Sequence, residues 1–283
     1  MSARILHISD LHFGTIVETA LAAVLDVVGT CHPDVVVISG DVTQRSRADE
    51  FAAFTDFLAL LQPLPVLACA GNHDVEWFKP WRRFTAPLLS FNAAVPSSAR
   101  VPVLRIDGVA IAPASSIDPL RPVSGRITQA TIAAMSSAMS SALSSAPSSA
   151  PSSANPVRIA FTHHPLALDR PAAPPDVCIE AASSALALSS AKIDLLLSGH
   201  VHVPFSMTTA VPFPSLPPFV LAGAGTATSW RTRGLAPRAL QIIDVVADSI
   251  AIERREMAPA HPGFAVVGVS RFFRHSDGWH AEG

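Results

Sequence analysis

Charge is scarce in this sequence. Charged residues are 15% of the 283, hydrophobic ones 49%, and the formal net charge is −2. Disordered acidic or basic chains are excluded, because they carry too little apolar surface and too much charge of one sign to resemble this composition. Near-neutrality also leaves no strong nucleic-acid signal at bulk level. Cysteine is sparse too. Cys31, Cys69 and Cys178 are odd in number, widely spaced and without a C-x-x-C pair, which argues against a disulfide framework and fits core thiols in a reducing compartment. Long hydrophobic runs are missing. The uncharged stretch from Val203 to Trp230 is broken by five prolines and does not suit a membrane span. The opening "MSARILHISDLHFG" enters a strand-like run at once, with no charged-then-apolar leader. A soluble cytoplasmic protein without a membrane partner is the expectation.

Short runs rich in Val, Ile and Leu alternate with helical spacing. "RILHIS" (4–9), "DVVVISG" (34–40) and "PVLACAG" (65–71) read as buried strands. Between them, 17–29 places Leu21, Val24, Leu25 and Val28 on one helical face, and 46–61 does the same with Phe51, Phe54, Leu58 and Leu61. This βαβαβ pattern is followed by strand candidates at 101–106, 109–114, 157–162, 193–199, 219–225, 239–247 and 249–255, the last two forming a hairpin turning at Asp248-Ser249. About ten strands exceed what one open sheet usually holds. The expectation is an α/β fold with two packed sheets and helices outside. Residues 135–154 repeat every four residues. Thr128 caps a helix with Met135, Met139 and Leu143 on one face, and Pro147 and Pro151 forbid its continuation. A helix ending near Ser145 and then a Ser/Ala/Pro linker are expected inside a single domain over 1–255. A C-terminal extension over 256–283 contains a further strand candidate, "FAVVGVS" (264–270), which leaves a homodimer contact open.

Five apolar runs end in metal-compatible side chains: Asp10-Leu11-His12, Gly40-Asp41, Gly71-Asn72-His73-Asp74, "THHP" (162–165) and Gly199-His200-Val201-His202. Parallel strands present their carboxyl ends along one rim, where open α/β sheets bind ligands. Side chains two apart on an extended segment point the same way, so Asp10 with His12, and His200 with His202, can converge. Each motif alone also suits a strand-end carboxylate or a surface histidine. Jointly they give Asp10, His12, Asp41, Asn72, one of His163 and His164, His200 and His202. Seven ligands are too many for one tetrahedral ion and suit two ions sharing a carboxylate. Imidazole mixed with oxygen donors points to Mn, Fe or Zn. Alternation from Val157, Ile159 and Phe161 favours His163 over His164.

The ordered set D-x-H, G-D, G-N-H-D, H and G-H-x-H resembles the calcineurin-like metallophosphoesterases, over Asp10 to His202. "HISDLHFG" (7–14), "GDVT" (40–43) and "GTATSWRTRG" (225–234) are similar to stretches of the bacterial branch that contains cyclic-nucleotide and glycerophosphodiester phosphodiesterases. The resemblance implies a β-sandwich of two mixed sheets flanked by helices. It implies one metal on Asp10, His12, Asp41 and His202, and another on Asp41, Asn72, His163 and His200, with Asp41 bridging. It also implies that His73 contacts the phosphoryl group and assists the leaving group, that Asp74 orients His73, and that a metal-bridging hydroxide attacks a small phosphodiester.

The alternatives are a nuclease of this fold, a phosphomonoesterase, and a non-catalytic binding module, which should have lost ligands. Smaller signals remain. His7 alternates with Leu6 and Ile8 and reads as a core histidine. Arg231 and Arg233 face either substrate or solvent. Arg82 and Arg83 beside Trp77, Phe78 and Trp81 form either a recognition surface or, as favoured here, an amphipathic helix that packs its aromatics and leaves the arginines wet.

Overall fold

The carboxyl ends of two facing sheets frame one rim of the protein, and the chain reaches that rim repeatedly. The structure, a computed structural model, describes residues 2–145, 156–234, 236–258 and 262–282. In order come β1 (Ala3–Ile8), α1 (Glu18–Cys31), β2 (Val35–Ser39), α2 (Ala48–Leu60), β3 (Val66–Cys69), α3 (Pro80–Thr85) and α4 (Leu89–Ala94). Next are β4 (Leu104–Ile106), β5 (Val109–Pro113), α5 (Gln129–Ser144), β6 (Val157–Phe161), α6 (Ala181–Ser190) and β7 (Leu195–Ser198). The chain continues through β8 (Phe205–Thr208), β9 (Val220–Gly223), β10 (Arg238–Val246), β11 (Ser249–Met257), β12 (Phe264–His275) and β13 (Gly278–Ala281).

Seven strands form one mixed sheet in the order β13-β12-β11-β10-β1-β2-β3, and six form the other in the order β4-β5-β6-β7-β9-β8. Central strand β1 runs parallel to β2, with Ile5 opposite Val35, and antiparallel to β10, with Ile5 opposite Ile243. Alternation along each strand then divides the apolar residues between two cores. Ile5, Val37 and Leu67 face the other sheet and pack with Ile111, Ile159, Phe161 and Leu197. Leu6, Ile8, Val36 and Ile38 point outward onto Val24 and Val27 of α1 and Phe51, Phe54 and Phe57 of α2. On the far side, Ala160, Leu196 and Leu221 meet Ile132, Met135 and Met139 of α5 and Leu188 of α6. The layers are α/β/β/α, as the strand count and helical faces required. Strands buried on both faces read as continuous apolar runs rather than alternating ones, which is why β1, β2 and β7 were so visible.

The Thr128 cap is present, its hydroxyl accepting from Thr131 N at 3.1 Å. The stretch 146–154 of the expected linker lies outside the described residues. The expected hairpin forms, but it turns at Ala247-Asp248 rather than Asp248-Ser249, because Ser249 already pairs with Val246. The strand expected at 264–270 is part of β12, whose pairing with β11 and β13 extends the first sheet. Four elements were not foreseen: the short helix α4, α6 with its weak Ala/Ser face, and the short strands β8 and β13. The favoured reading of the aromatic stretch fails. α3 covers only 80–85, and Phe78 and Trp81 are 84% and 85% exposed. Arg83 is the half-buried member, stacked 4.5 Å over Trp77. A six-residue helix has too few turns to bury a stripe of rings.

Candidate metal centre

The rim residues sit in tight turns that follow the strands. Asp10, His12, Asp41, His200 and His202 all have left-handed backbone angles, with φ between 49° and 71°. This conformation is unfavourable for residues with a side chain and concentrates at functional sites. Asp10 and His12 therefore do not converge through strand alternation, as the sequence reading assumed. β1 has ended before them, and two left-handed turns redirect both side chains. Close packing needs glycine at two neighbours. A Cβ on Gly71 would lie 2.1 Å from Asp41 Oδ1, and one on Gly199 would lie 1.8 Å from Ser9 Oγ and 2.5 Å from Asp10 Oδ2.

Six of the expected ligands form two adjoining groups. On one side, His202 Nε2 lies 3.1 Å from Asp10 Oδ1 and 3.1 Å from His12 Nε2. On the other, His163 Nε2 lies 3.3 Å from Asp41 Oδ2 and 3.2 Å from Asn72 Oδ1, with the His200 ring 5.1 Å from that of His163. Asp41 stands between the groups, its Oδ2 also 3.7 Å from His12 Nε2. His200 and His202 thus lie in different groups, the division the resemblance implied, whereas strand alternation alone would point both to one place. Asp10, His12, Asp41, Asn72 and His163 are buried, and His200 and His202 half-buried.

The donor set suits cations. Ligating imidazoles usually donate their other N–H to a carbonyl, which fixes the tautomer and leaves a lone pair for the metal. His163 Nδ1 donates to Ser39 O at 3.0 Å, His200 Nε2 to Pro175 O at 3.0 Å, and His202 Nδ1 to Arg231 O at 2.5 Å. Asp10 Oδ1 and His12 Nδ1 are buried without a hydrogen-bond partner among the described residues. Four subsets, Asp10/His12/His202, His12/Asp41/His73, Asp10/Asp41/His163 and His163/His164/His200, each gather their ligand atoms within 4.8 Å.

Charge confirms how tightly the groups are set. Burial raises the pKa of Asp10 and Asp41, yet His202 and His163 respectively hold both carboxyls well below the usual range. Burial opposes protonation of His163, but the Asp41 charge prevails and lifts it to about 9. Burial pushes His12 down to about 3, and burial with the charge of His163 pushes His200 to about 4.

His164 lies in the last subset, but both its nitrogens are engaged. Its Nε2 donates to Val123 O at 2.9 Å, and its Nδ1 pairs with Ser116 Oγ at 2.8 Å. It offers no lone pair inward and braces the 116–123 loop. Asp74 requires a correction. Its carboxylate does not touch the His73 ring. It accepts from Gly71 N, Val42 N, Thr43 N and Thr43 Oγ1 at 2.7–3.1 Å, clamping two rim turns together. Burial and the Asp41 charge push it up to about 6. The carbonyl of Gln44 orients His73 instead, accepting from Nδ1 at 2.7 Å. A sequence gives no sign of a main-chain partner of this kind. The His73 amide donates to Asp41 Oδ1 at 2.8 Å, and its Nε2 faces a cleft of about 310 Å³ that Asp41, Asn72, His200, His202 and Arg231 also line. Arg231 Nη1 lies 3.5 Å from that Nε2 and donates to Gln44 Oε1 at 2.9 Å. Arg233 is held by Asp176 at 2.8 Å.

Residues 3–204 match the family of calcineurin-like phosphoesterases. The chain belongs to that family, whose members use a dinuclear divalent metal centre, and membership implies a metal-dependent phosphoric ester hydrolase. No curated protein matches the chain by sequence. Among solved structures, a purple acid phosphatase, PPD1, from yellow lupin (Lupinus luteus) seeds superposes with a TM-score of 0.64 at 11% identity, over 96% of this chain and 53% of that one. The chain therefore spans about half the length of that phosphatase. PhoD gives 0.60 at 10% identity, over 99% and 71% of the two chains. GAP50, described as the anchor in the inner membrane complex of Plasmodium, gives 0.56 at 10% identity, over 95% and 87%. At such identities the likeness is one of fold alone. Among the described residues, no helix is long and apolar enough to cross a membrane.

Proposed function

We propose that this calcineurin-like phosphoesterase hydrolyses a small phosphodiester, of the cyclic-nucleotide or glycerophosphodiester kind, at a centre holding two metal ions. Asp10, His12, Asp41 and His202 would hold one ion and Asp41, Asn72, His163 and His200 the other. Mn or Fe suits the mixed nitrogen and oxygen donors best, and Zn is also compatible. The observation that carries this reading is the inward aim of the imidazoles around Asp10 and Asp41, three of them backed by main-chain carbonyls. Two cations in such a site supply Lewis acidity, lower the pKa of water and offset charge on the phosphoryl group.

The chain's own residues account for the rest. His73 has Nδ1–H committed to Gln44 O, so a second proton on Nε2 would go to the leaving alkoxide as its bond to phosphorus breaks. General acid help of this kind is worth about 10²–10⁴-fold. Arg231, anchored by Gln44, offers remaining N–H groups to a phosphoryl oxygen. The Asn72 side chain is fixed by donating Nδ2 to Pro122 O at 3.2 Å, which leaves its carbonyl oxygen toward His163. Asp74 acts through the backbone, holding the turns that bear Asp41 and His73.

The test is a hydrolysis panel on metal-reconstituted protein, comparing nitrophenyl diesters and monoesters, cyclic nucleotides, glycerophosphodiesters and single-stranded DNA. Diesters of small alcohols should turn over fastest. Preference for monoesters would replace the diesterase reading, and inactivity throughout would overturn it.

A further inference from the structure

A second cleft, of about 440 Å³, adjoins the first and shares Asn72, His73 and Val123 with it. Its size falls within the roughly 300–1,000 Å³ of small-molecule sites. One wall is Val75, Trp77 and Phe78, the other Pro122 and Val123, and Arg45 also lines it. Both walls are built. Trp77 Nε1 donates to Asn72 O at 2.7 Å, and Arg83 stacks on the indole at 4.5 Å. Three carbonyls pin the opposite loop: Pro119 O accepts from Arg83 Nε at 2.6 Å, Pro122 O from Asn72 Nδ2, and Val123 O from His164 Nε2. Phe78 remains 84% exposed, and among the described residues the Arg45 guanidinium has no ion pair.

An aromatic recess with an unpaired cation, opening onto the imidazole placed to protonate a leaving group, has a definite use. The geometry points to a subsite for the organic group of the phosphoester, and to a planar heteroaromatic ring such as a nucleobase as that group. Trp77 and Phe78 stack on it, and Arg45 donates to its ring acceptors. An acyl chain would fit poorly beside Arg45 and Gln44. The larger, more apolar groove around Leu166, Val177 and Phe213 shares no residue with the metal cleft. The subsite rests on the phosphoesterase reading above and narrows its substrate class to nucleotides.

The test is calorimetric binding to the metal-loaded full chain, with adenosine 5′-monophosphate, ribose 5-phosphate and inorganic phosphate as probes. Alanine replacement of a stacking ring typically weakens base binding about 10-fold. The mononucleotide should bind at least about 10-fold more tightly than ribose 5-phosphate. Phe78→Ala should remove about 10-fold of that advantage, Phe78→Trp should keep it, and inorganic phosphate should bind all three proteins alike. Equal binding of the two sugar phosphates, or a mononucleotide affinity unchanged by Phe78→Ala, overturns the subsite. If the loaded chain still hydrolyses bis(4-nitrophenyl) phosphate in that event, the phosphoesterase reading stands without it. If no phosphoester in the panel is hydrolysed, both fall.

Discussion

Replacing Gly71 by alanine isolates the packing that holds Asp41. The backbone there has φ −104° and ψ −176°, extended angles open to any residue, so the substitution introduces no dihedral penalty. Its effect is steric. The new methyl would lie 2.1 Å from Asp41 Oδ1 and 2.3 Å from Asp41 N, where ordinary contact begins at 3.4 Å. Rotating the carboxylate could relieve the first clash. The second is with backbone and requires the two turns to part by about 1 Å, the difference between 3.4 and 2.3 Å. That motion stretches the bonds that cross between the turns, His73 N to Asp41 at 2.8 Å, Val42 N to Asp74 at 3.1 Å and Thr43 N to Asp74 at 2.8 Å. Overpacking of this kind costs about 1–3 kcal/mol, and a displaced supporting contact typically weakens a metal site about 10–100-fold. Scanning calorimetry with and without a chelator, and metal analysis after dialysis at fixed free metal, measure the two effects. Gly71→Ala should melt several degrees lower even without metal and should lose most of its metal at concentrations that saturate the parent. A variant with the parent's melting temperature and metal content would refute the placement of Asp41 against Gly71.

Other consequences are accessible to the same methods. His7 is buried between Gln241 Oε1 at 3.0 Å and Ser39 Oγ at 2.8 Å, and burial lowers it to about 4. The unfolded chain takes up this proton near pH 6.5, so the stability owed to neutral His7 is complete above pH 6.5 and declines as pH falls toward 4. The loss between pH 7 and 5 is about 2 kcal/mol, and urea unfolding of His7→Gln should show a correspondingly flatter pH dependence, whereas an equal slope would contradict it. His73→Ala should keep both metals and lose about 10²–10⁴-fold in kcat; loss of metal instead would make His73 a ligand. Metal loss should follow His163→Ala, while His164→Ala should retain metal and weaken only the 116–123 loop, seen as faster hydrogen exchange there. Metal loss in both would make His164 a ligand as well.

The scaffold was legible because its strands are buried on both faces. β2 and β7 announce themselves as Val/Ile/Leu runs and β1 as an apolar run broken by His7, and the stripe of Phe51, Phe54 and Leu58 marks α2. β8 and β13, four residues each, carry too little pattern to register. The site was readable as a list of donors at strand ends, less so as geometry. Alternation treated Asp10-Leu11-His12 and His200-Val201-His202 as extended, whereas left-handed turns at both ends of each triplet decide where the side chains go. Alternation did apply at His163, which lies two residues past Phe161 at the end of β6 and whose ring reaches Ser39 of the facing sheet. Asp74 was misread in role because three of its four partners are backbone amides, which every residue but proline carries and no motif reports. The exposed rings at Phe78 and Trp81 were misread for a related reason. Helical periodicity was assumed where the helix spans only 80–85.

The central claim is that Asp41 joins two metal sites, and the most direct measurement is metal stoichiometry. The apoprotein would be reconstituted with Mn²⁺ or Fe²⁺, freed of excess metal, and analysed beside Asp41→Ala. Two ions per chain in the parent and loss of metal in the variant, with activity lost in parallel, are expected. A parent that binds no metal, or a variant that keeps the parent's stoichiometry, would contradict the account.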